Sequence, residues 1–474
     1  MNSNRVMKPN VLSLCCVLLA VTPTIRAQDS PGLETIKQIL EERIEKEKRA
    51  TGMVAGILDE QGAHIIAGGK IGLNSPTAVD GDTIFEIGSV SKVFTSLLLA
   101  DMAQKGEVKL DDPIAKYLPT SVKVPGRNGR HITLVDLATH TSGLPRMPDN
   151  FEPADEHDPY ADYTVQQMYD FLSNYTLRRD VGARYEYSNF GAGLLGHILA
   201  LRRGTNYQAL LQERICRPLG MTRTGVALSP AMKSRLAQGL DDTGRAVPNW
   251  NLPTLAGAGG IRSTANDMLK LAAASLELVK TPLAPAMALA ETPRHEAGSP
   301  ATQIGLAWHV TKRFGSELTW HNGATGGYHS YIGLNKQKSR AVVVLANSSS
   351  SIDDIGQHLL EPQYALRKAK SRAARADPLP KEPVTIKLDP AKLDAYAGKY
   401  ELQPGVLFTI KRSGDRLLAQ LTGQTFLQIF PASETEFFYK AVDAQLTFVK
   451  NAQEEFTNLI LHQDGIDQTA DRVK

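Results

Sequence analysis

Ser89 and Lys92 stand three residues apart in IFEIGSVSKVFTSLLL, Ile84 to Leu99. At the start of a helix that spacing puts both side chains on one face, one turn from each other. A serine hydroxyl is a poor nucleophile by itself, and an amine within hydrogen-bond reach takes its proton when burial or a neighbouring charge has lowered the amine's own pKa. For an isolated S-x-x-K the simpler explanation is a capping serine beside a solvated lysine. Ser89, however, heads the only S-x-x-K of the chain and Tyr187 the only Y-x-N, Tyr187-Ser188-Asn189, while His321-Asn322-Gly323 follows later. Taken singly, Tyr187 is explained by aromatic packing and Asn189 by a turn or helix cap.

The elements that must position these residues are legible in outline. Val93 to Met102 is almost wholly apolar, the pattern of a helix buried on most sides. A nucleophile where such a helix begins is rigidly held, and the helix N-terminus adds positive potential near it. Ahead of it, Leu33 to Lys48 carries apolar residues at helical spacing, and Met53 to Leu58 with His64 to Gly68 flank turn residues as a hairpin. Thr133 and Asp136 form a capping pattern before Leu134 to Thr139. The stretch Pro145 to Asp162, rich in Asp, Glu and Pro, reads as a surface excursion near the cleft. Tyr185 to Gly204 is a polar turn leading into an apolar helix, whose His197 reads as a satisfied core histidine. The glycines of Ala256 to Asp267 suggest a close backbone approach before a capped helix. Gly305 to Val310, Glu317 to Trp320, Tyr328 to Asn335 and Ala341 to Ala346 read as strands, His321 to Gly327 as a glycine-rich turn, and Ile352 to Lys368 as a last helix. The expected sheet is mostly antiparallel and drawn from both ends of this unit.

Beyond it, short strand-like runs from Phe408 to His462, separated by turn signals, point to a small antiparallel barrel or meander. The fold class is therefore α+β with an appended β-barrel. Expected boundaries are a signal peptide over 1–27, a first unit over 28–367, a linker over 368–385 and the barrel over 386–474. The signal reading rests on Arg5 and Lys8 ahead of the apolar run Val11 to Val21, with Ile25, Arg26 and Ala27 as a cleavage site. That run is too short to span a bilayer, so export to the periplasm or medium is expected, with no stable membrane insertion once the segment is removed.

The net charge of +3 is matched by Arg5, Lys8 and Arg26 of the first 27 residues, which hold no acidic residue, so the remainder is neutral. Bulk electrostatics thus give no argument for a nucleic-acid or anionic-membrane partner. Cys216 is the one cysteine after the signal segment, which excludes an intramolecular disulfide. No G-x-S-x-G elbow and no H-E-x-x-H occurs, and no cofactor or metal ligand set is expected.

In their order along the chain, the three motifs resemble those of the penicillin-recognising serine hydrolases: class C β-lactamases, D-alanyl-D-alanine carboxypeptidases, D-aminopeptidases and related esterases. The resemblance extends to LATHTSGLP, PLGMTRT, GGIRSTANDM and HNGATGGYHSYIG and covers most of Leu33 to Leu366. It implies a β-lactamase/transpeptidase-like fold, an antiparallel sheet flanked by helices plus a helical region, with a lipocalin-like barrel of the kind appended in some members. It further implies Ser89 as the acylated nucleophile, Lys92 as the group easing its deprotonation, and Tyr187 as acid and base. Asn189 would hold a substrate amide, His321 and Gly323 would line the substrate site, and the backbone N–H groups of Ser89 and Ala324 would form the oxyanion hole. A tyrosine pKa near ~10 is expected to fall beside a cationic lysine.

One departure matters. Many class C β-lactamases carry Lys-Thr-Gly at the third motif, where this chain has His321. A neutral imidazole offers a substrate carboxylate less than a permanent ammonium does, which puts efficient β-lactam turnover in doubt. A β-lactam, a D-alanyl peptide or a small ester all remain open as substrates. So does a penicillin-binding sensor that is acylated without turnover.

Overall fold

Two apolar runs, Gly52–Asp59 and Arg340–Ala346, lie side by side as the second and third strands of an eight-stranded antiparallel sheet in the computed structural model. The structure describes residues 31–367, 385–403, 406–422, 426–439, 444–451, 453–463 and 466–473; the expected signal segment and residues 368–384 of the expected linker lie outside these. The spatial order of the strands is Gly62–Gly69, Gly52–Asp59, Arg340–Ala346, His329–Asn335, Ser316–Ala324, His309–Arg313, Thr302–Ile304 and His295–Ser299. Both ends of the first unit therefore build the sheet.

Strand periodicity sends alternate residues to opposite faces, and here both faces are covered. Val54, Val343 and Leu345 pack into the large core that contains the helix Ser91–Gln104. Ala55, Ile57, Val342 and Val344 pack into a second core with Ile36 and Leu40 of Leu33–Glu42 and Ile355 and Leu359 of Asp353–Leu360. The helix Ser91–Gln104 is buried from Ser91 to Met102, as its unbroken apolar text requires. Among the described residues, no helix is long and apolar enough to cross a membrane.

Several boundaries move for identifiable reasons. His321 to Ala324 are strand and not turn, because they pair in register with Ile332, Tyr331, Ser330 and His329. The turn is confined to Thr325–Tyr328. Gly305 to Val310 is not one strand: Gly305 N–H donates to Trp308 O, and Ala307 has φ +64°. The last helix ends at Leu360 because Pro362 disfavours helical geometry at Glu361, which is extended.

The carboxy-terminal strands form a closed eight-stranded antiparallel barrel. Its first and last strands, Gly398–Gln403 and Ile466–Val473, pair with each other and were not legible, since IDQTADRV is polar on both faces. Tyr396, Tyr400, Phe437, Phe448 and Phe456 stack inside it, Tyr396 on Phe456 at 4.4 Å between ring centroids.

Leu98 is fully enclosed in the middle of the buried helix. Leu98→Ala is expected to cost about 2–5 kcal/mol of folding stability, measured by denaturant unfolding of the full chain.

Candidate active site

The sequence Ile87-Gly88-Ser89-Val90 makes a single 3-10 turn, Gly88–Val90, that feeds directly into the helix Ser91–Gln104. Gly88 adopts φ +48°, and a Cβ there would lie 2.7 Å from Ala324 N, so the turn tolerates no side chain at this point. Ser89 is thereby presented at the mouth of the buried helix, partly open to solvent.

Lys92, one turn on, is 1 % exposed. Its Nζ donates to Ser89 Oγ at 2.8 Å and to the carbonyl of Ala258 at 2.6 Å. Burial, reinforced by the charge of Arg146, holds its pKa well below the ordinary lysine value. The Ala258 carbonyl comes from the glycine-rich stretch, where Ala256–Gly259 forms one short helical turn. Close approach is what the glycines permit: a Cβ on Gly257 would lie 3.0 Å from both Gly196 Cα and Thr95 Oγ1. Thr95 Oγ1 donates to Gly257 O at 2.7 Å, and Ile261 N–H donates to Ser91 Oγ at 3.0 Å. The helix and the stretch are thus bound along their length.

Tyr187 lies above Lys92, whose Nζ is 4.8 Å from the ring centroid, and its phenol faces the Ser89 side chain. The sequence led us to expect a lowered phenol pKa; burial instead pushes it up to about 12, with Ser89 and Arg146 opposing only in part. His140 holds the tyrosine in place. Its carbonyl accepts from Glu186 N–H at 2.8 Å, its Nδ1 accepts from Ser188 N–H at 3.1 Å, and its ring packs on Tyr187 at 4.5 Å. Ser188 caps the following helix, Asn189–Arg202, by accepting from Gly191 N–H at 2.8 Å. Asn189, at that helix's first position, faces the Tyr160 phenol, and its N–H donates to Arg146 O at 3.0 Å. The Arg146 guanidinium sits 5.1 Å from the Tyr187 ring centroid.

The third motif closes the site along the strand Ser316–Ala324. A Cβ on Gly323 would lie 2.1 Å from Ile87 O and 2.9 Å from Ser89 N. Ser330 Oγ also donates to Ile87 O at 2.8 Å, locking the strand pair onto the Ser89 turn. Ala324, the exposed end of the strand, is brought beside that turn, so the backbone N–H groups of Ala324 and Ser89 lie at one mouth. His321 is buried and burial keeps it neutral, its pKa well below the usual value. Its Nδ1 lies 2.5 Å from Asn322 O, and its Nε2 has no hydrogen-bond partner among the described residues. His309, pushed down to about 4 by burial, packs at 5.3 Å from it.

All seven residues singled out from the sequence, Ser89, Lys92, Tyr187, Asn189, His321, Gly323 and Ala324, belong to this one neighbourhood. Ala258, Arg146, His140 and His309 were missed as parts of the site. Only Ala258 had a local signal, the run of glycines; His140 and Arg146 lie in or beside the quoted phrase LATHTSGLP without any spacing that marks them. His197 bonds Tyr169 Oη through Nε2 at 2.7 Å, away from the site, and Cys216 is a buried free thiol. Among the described residues, no group of three or more His, Cys, Asp or Glu side chains could hold a metal ion.

Comparison with known proteins matches residues 36–360 to the family model described as Beta-lactamase, and residues 382–472 to a domain of unknown function (DUF3471). The chain is 30% identical over 315 residues to the D-alanyl-D-alanine-carboxypeptidase/endopeptidase AmpH of Escherichia coli K12, covering 63% of this chain and 80% of that relative. Among solved structures it is similar to a beta-lactamase/D-alanine carboxypeptidase from Yersinia pestis in complex with citrate, with a TM-score of 0.62 and 25% identity over 69% of this chain and 98% of that one. A class C beta lactamase from Rhodobacter sphaeroides gives a TM-score of 0.59 and 26% identity over 67% and 95%.

Because no side chain fits at Gly323, Gly323→Ala is expected to displace the strand end from the Ser89 turn. Labelling of Ser89 by a fluorophosphonate probe should slow by roughly 100-fold, measured with the thermal midpoint of the same sample to show that the fold survives.

Proposed function

The chain belongs to the beta-lactamase family, a family of serine hydrolases, and from that premise we propose that it forms an acyl-enzyme at Ser89 with D-alanyl peptides, β-lactams or small esters. The observation that carries the reading is the 2.8 Å contact between Ser89 Oγ and the Nζ of a fully enclosed Lys92. Burial and the Arg146 charge both shift such an amine towards its neutral form, which has a lone pair to offer.

The steps follow from these protonation states. Neutral Lys92 takes the Ser89 proton as Oγ attacks the substrate carbonyl, and the Ser89 and Ala324 N–H groups receive the oxyanion. Tyr187, a neutral phenol with its pKa near 12, donates its proton to the leaving amine or alkoxide as the bond to the acyl carbon breaks. The phenolate so formed faces the Lys92 ammonium and Arg146, and the ammonium returns a proton to it. Lys92, neutral again, is then ready to deprotonate the water that releases the acyl group, and the proton passes to Ser89 Oγ as it leaves. The base in acylation is thus Lys92, with Tyr187 as the acid.

Arg146 is the permanent cation beside the Tyr187 ring. Neutral His321 supplies no charge for a substrate carboxylate, which supports slow β-lactam turnover and leaves peptide and ester substrates open. Export through the amino-terminal segment belongs to the same reading and rests on its sequence alone.

Ser89→Ala is expected to abolish hydrolysis of a D-alanyl-D-alanine peptide, a chromogenic cephalosporin and a short-chain ester while leaving the circular dichroism spectrum unchanged. Residual turnover at the wild-type rate sinks the assignment. A persistent adduct on intact mass without turnover would instead support a sensor. The pH profile distinguishes the base: kcat/KM should rise with pH as Lys92 loses its proton, through a pKa below the ordinary lysine value, because the neutral amine is the active form. Tyr187→Phe should lower the rate and retain that rising limb. Disappearance of the limb would return the base role to tyrosine.

A further inference from the structure

The excursion Pro145 to Asp162 touches the site at both ends and the barrel in its middle. At one end Arg146 lies over the Tyr187 ring, and its carbonyl accepts from Asn189 and Phe190 N–H at 3.0 and 3.1 Å. At the other, the Tyr160 phenol faces the Asn189 side chain, and its ring packs on Trp250 at 5.3 Å. Between them Phe151 packs on Tyr160 and Tyr163 at 5.1 and 5.6 Å, so the excursion has a small aromatic core of its own. Its acidic residues face outward. Lys411, on the barrel strand Val406–Ser413, places Nζ 2.8 Å from Glu152 Oε1 and 3.3 Å from Asp149 O. The same ammonium stands 4.4 Å from the Phe426 ring centroid. Gln428, one residue before Leu427–Pro431 begins to pair with Glu436–Tyr439, donates its N–H to Glu156 Oε1 at 3.2 Å.

We propose that the barrel is a clamp on this excursion, and that Lys411 is a positioning residue which holds Arg146 and Tyr160 over the Ser89 site. An isolated exposed ion pair contributes little. Lys411 is different in being shared among a carboxylate, a backbone carbonyl and an aromatic face, with a second carboxylate tied to the barrel backbone four residues on. Together these contacts take up the entropy that an excursion of this length would otherwise keep. The polarity fits, since the excursion supplies acceptors and the barrel supplies donors. This assigns a role to a domain matched only to a family of unknown function. The catalytic half of the proposal rests on the Ser89 reading given above.

The link to chemistry runs through charge. Lys92 is faced by Tyr187, Arg146, His140 and His321, and of these Arg146 is the permanent cation. Freeing Arg146 removes a charge that disfavours the Lys92 ammonium, so the lysine pKa rises and less neutral amine is present near pH 7.

The test uses the full chain with Lys411→Glu, Glu152→Lys and the double swap. Each single variant should raise hydrogen exchange of peptides spanning residues 146–160. Each should also move the rising limb of kcat/KM to higher pH and slow acylation at pH 7 by roughly 3- to 10-fold. The double swap, which restores opposite charges, should recover most of both. Wild-type exchange over 146–160 in the single variants, or a double swap no better than either, overturns the clamp. If the wild-type chain is not acylated at Ser89, the functional reading fails instead, and the exchange measurement still decides the clamp.

Discussion

Taking an ammonium out of water is so costly that a fully buried lysine either finds a carboxylate or gives up its charge. Lys92 has no carboxylate. Its polar contacts are the Ser89 hydroxyl and the Ala258 carbonyl, and a permanent cation, Arg146, stands nearby. Burial and the Arg146 charge thus favour the neutral amine. Around this one constraint the first unit is assembled: the helix that buries Lys92, the glycine-rich turn that offers the carbonyl, and the strand end that closes beside Ser89.

The sheet fixes the site through backbone contact more than through side chains. Gly88 and Gly323 each mark a place where two backbones approach too closely for a Cβ, and a Cβ on Gly257 would lie 3.0 Å from Gly196 Cα. Three segments distant in sequence, the Ser89 turn, the Ala258 turn and the strand ending at Ala324, are packed main chain to main chain. Such contacts leave little freedom to adjust, which suits a site whose donors must meet a charge that exists only transiently.

Tyr187 depends on a different device. Its segment is held by His140, through a backbone carbonyl on one side and a ring nitrogen on the other. Ser188 N–H donating to Nδ1 requires that nitrogen to be unprotonated, so the histidine that braces the tyrosine is neutral, in keeping with its lowered pKa. The site therefore combines histidines and a lysine whose charged forms burial disfavours with a phenol held protonated, beside the Arg146 guanidinium.

Local sequence carried much of this. The helical spacing of Leu33 to Lys48 and the unbroken apolar runs of Val93 to Met102 and Ala341 to Ala346 determined those elements, because each pattern of burial is written within a few residues. The motifs headed by Ser89, Tyr187 and His321 named the side chains of the site, because their types and order are readable without knowing distances. The polar closing strands of the barrel were invisible, since their pairing comes from register with neighbours and not from their own pattern. What the tertiary structure alone decided is the state of each site residue. A pKa is set by the groups that exclude water and place charge around it, and for Lys92 and Tyr187 those groups come from the segments at His140, Arg146, Ala258 and His321. No local spacing encodes such an enclosure, and so the pKa shifts of Tyr187 and Lys92, on which the proposed division of acid and base rests, follow from the fold.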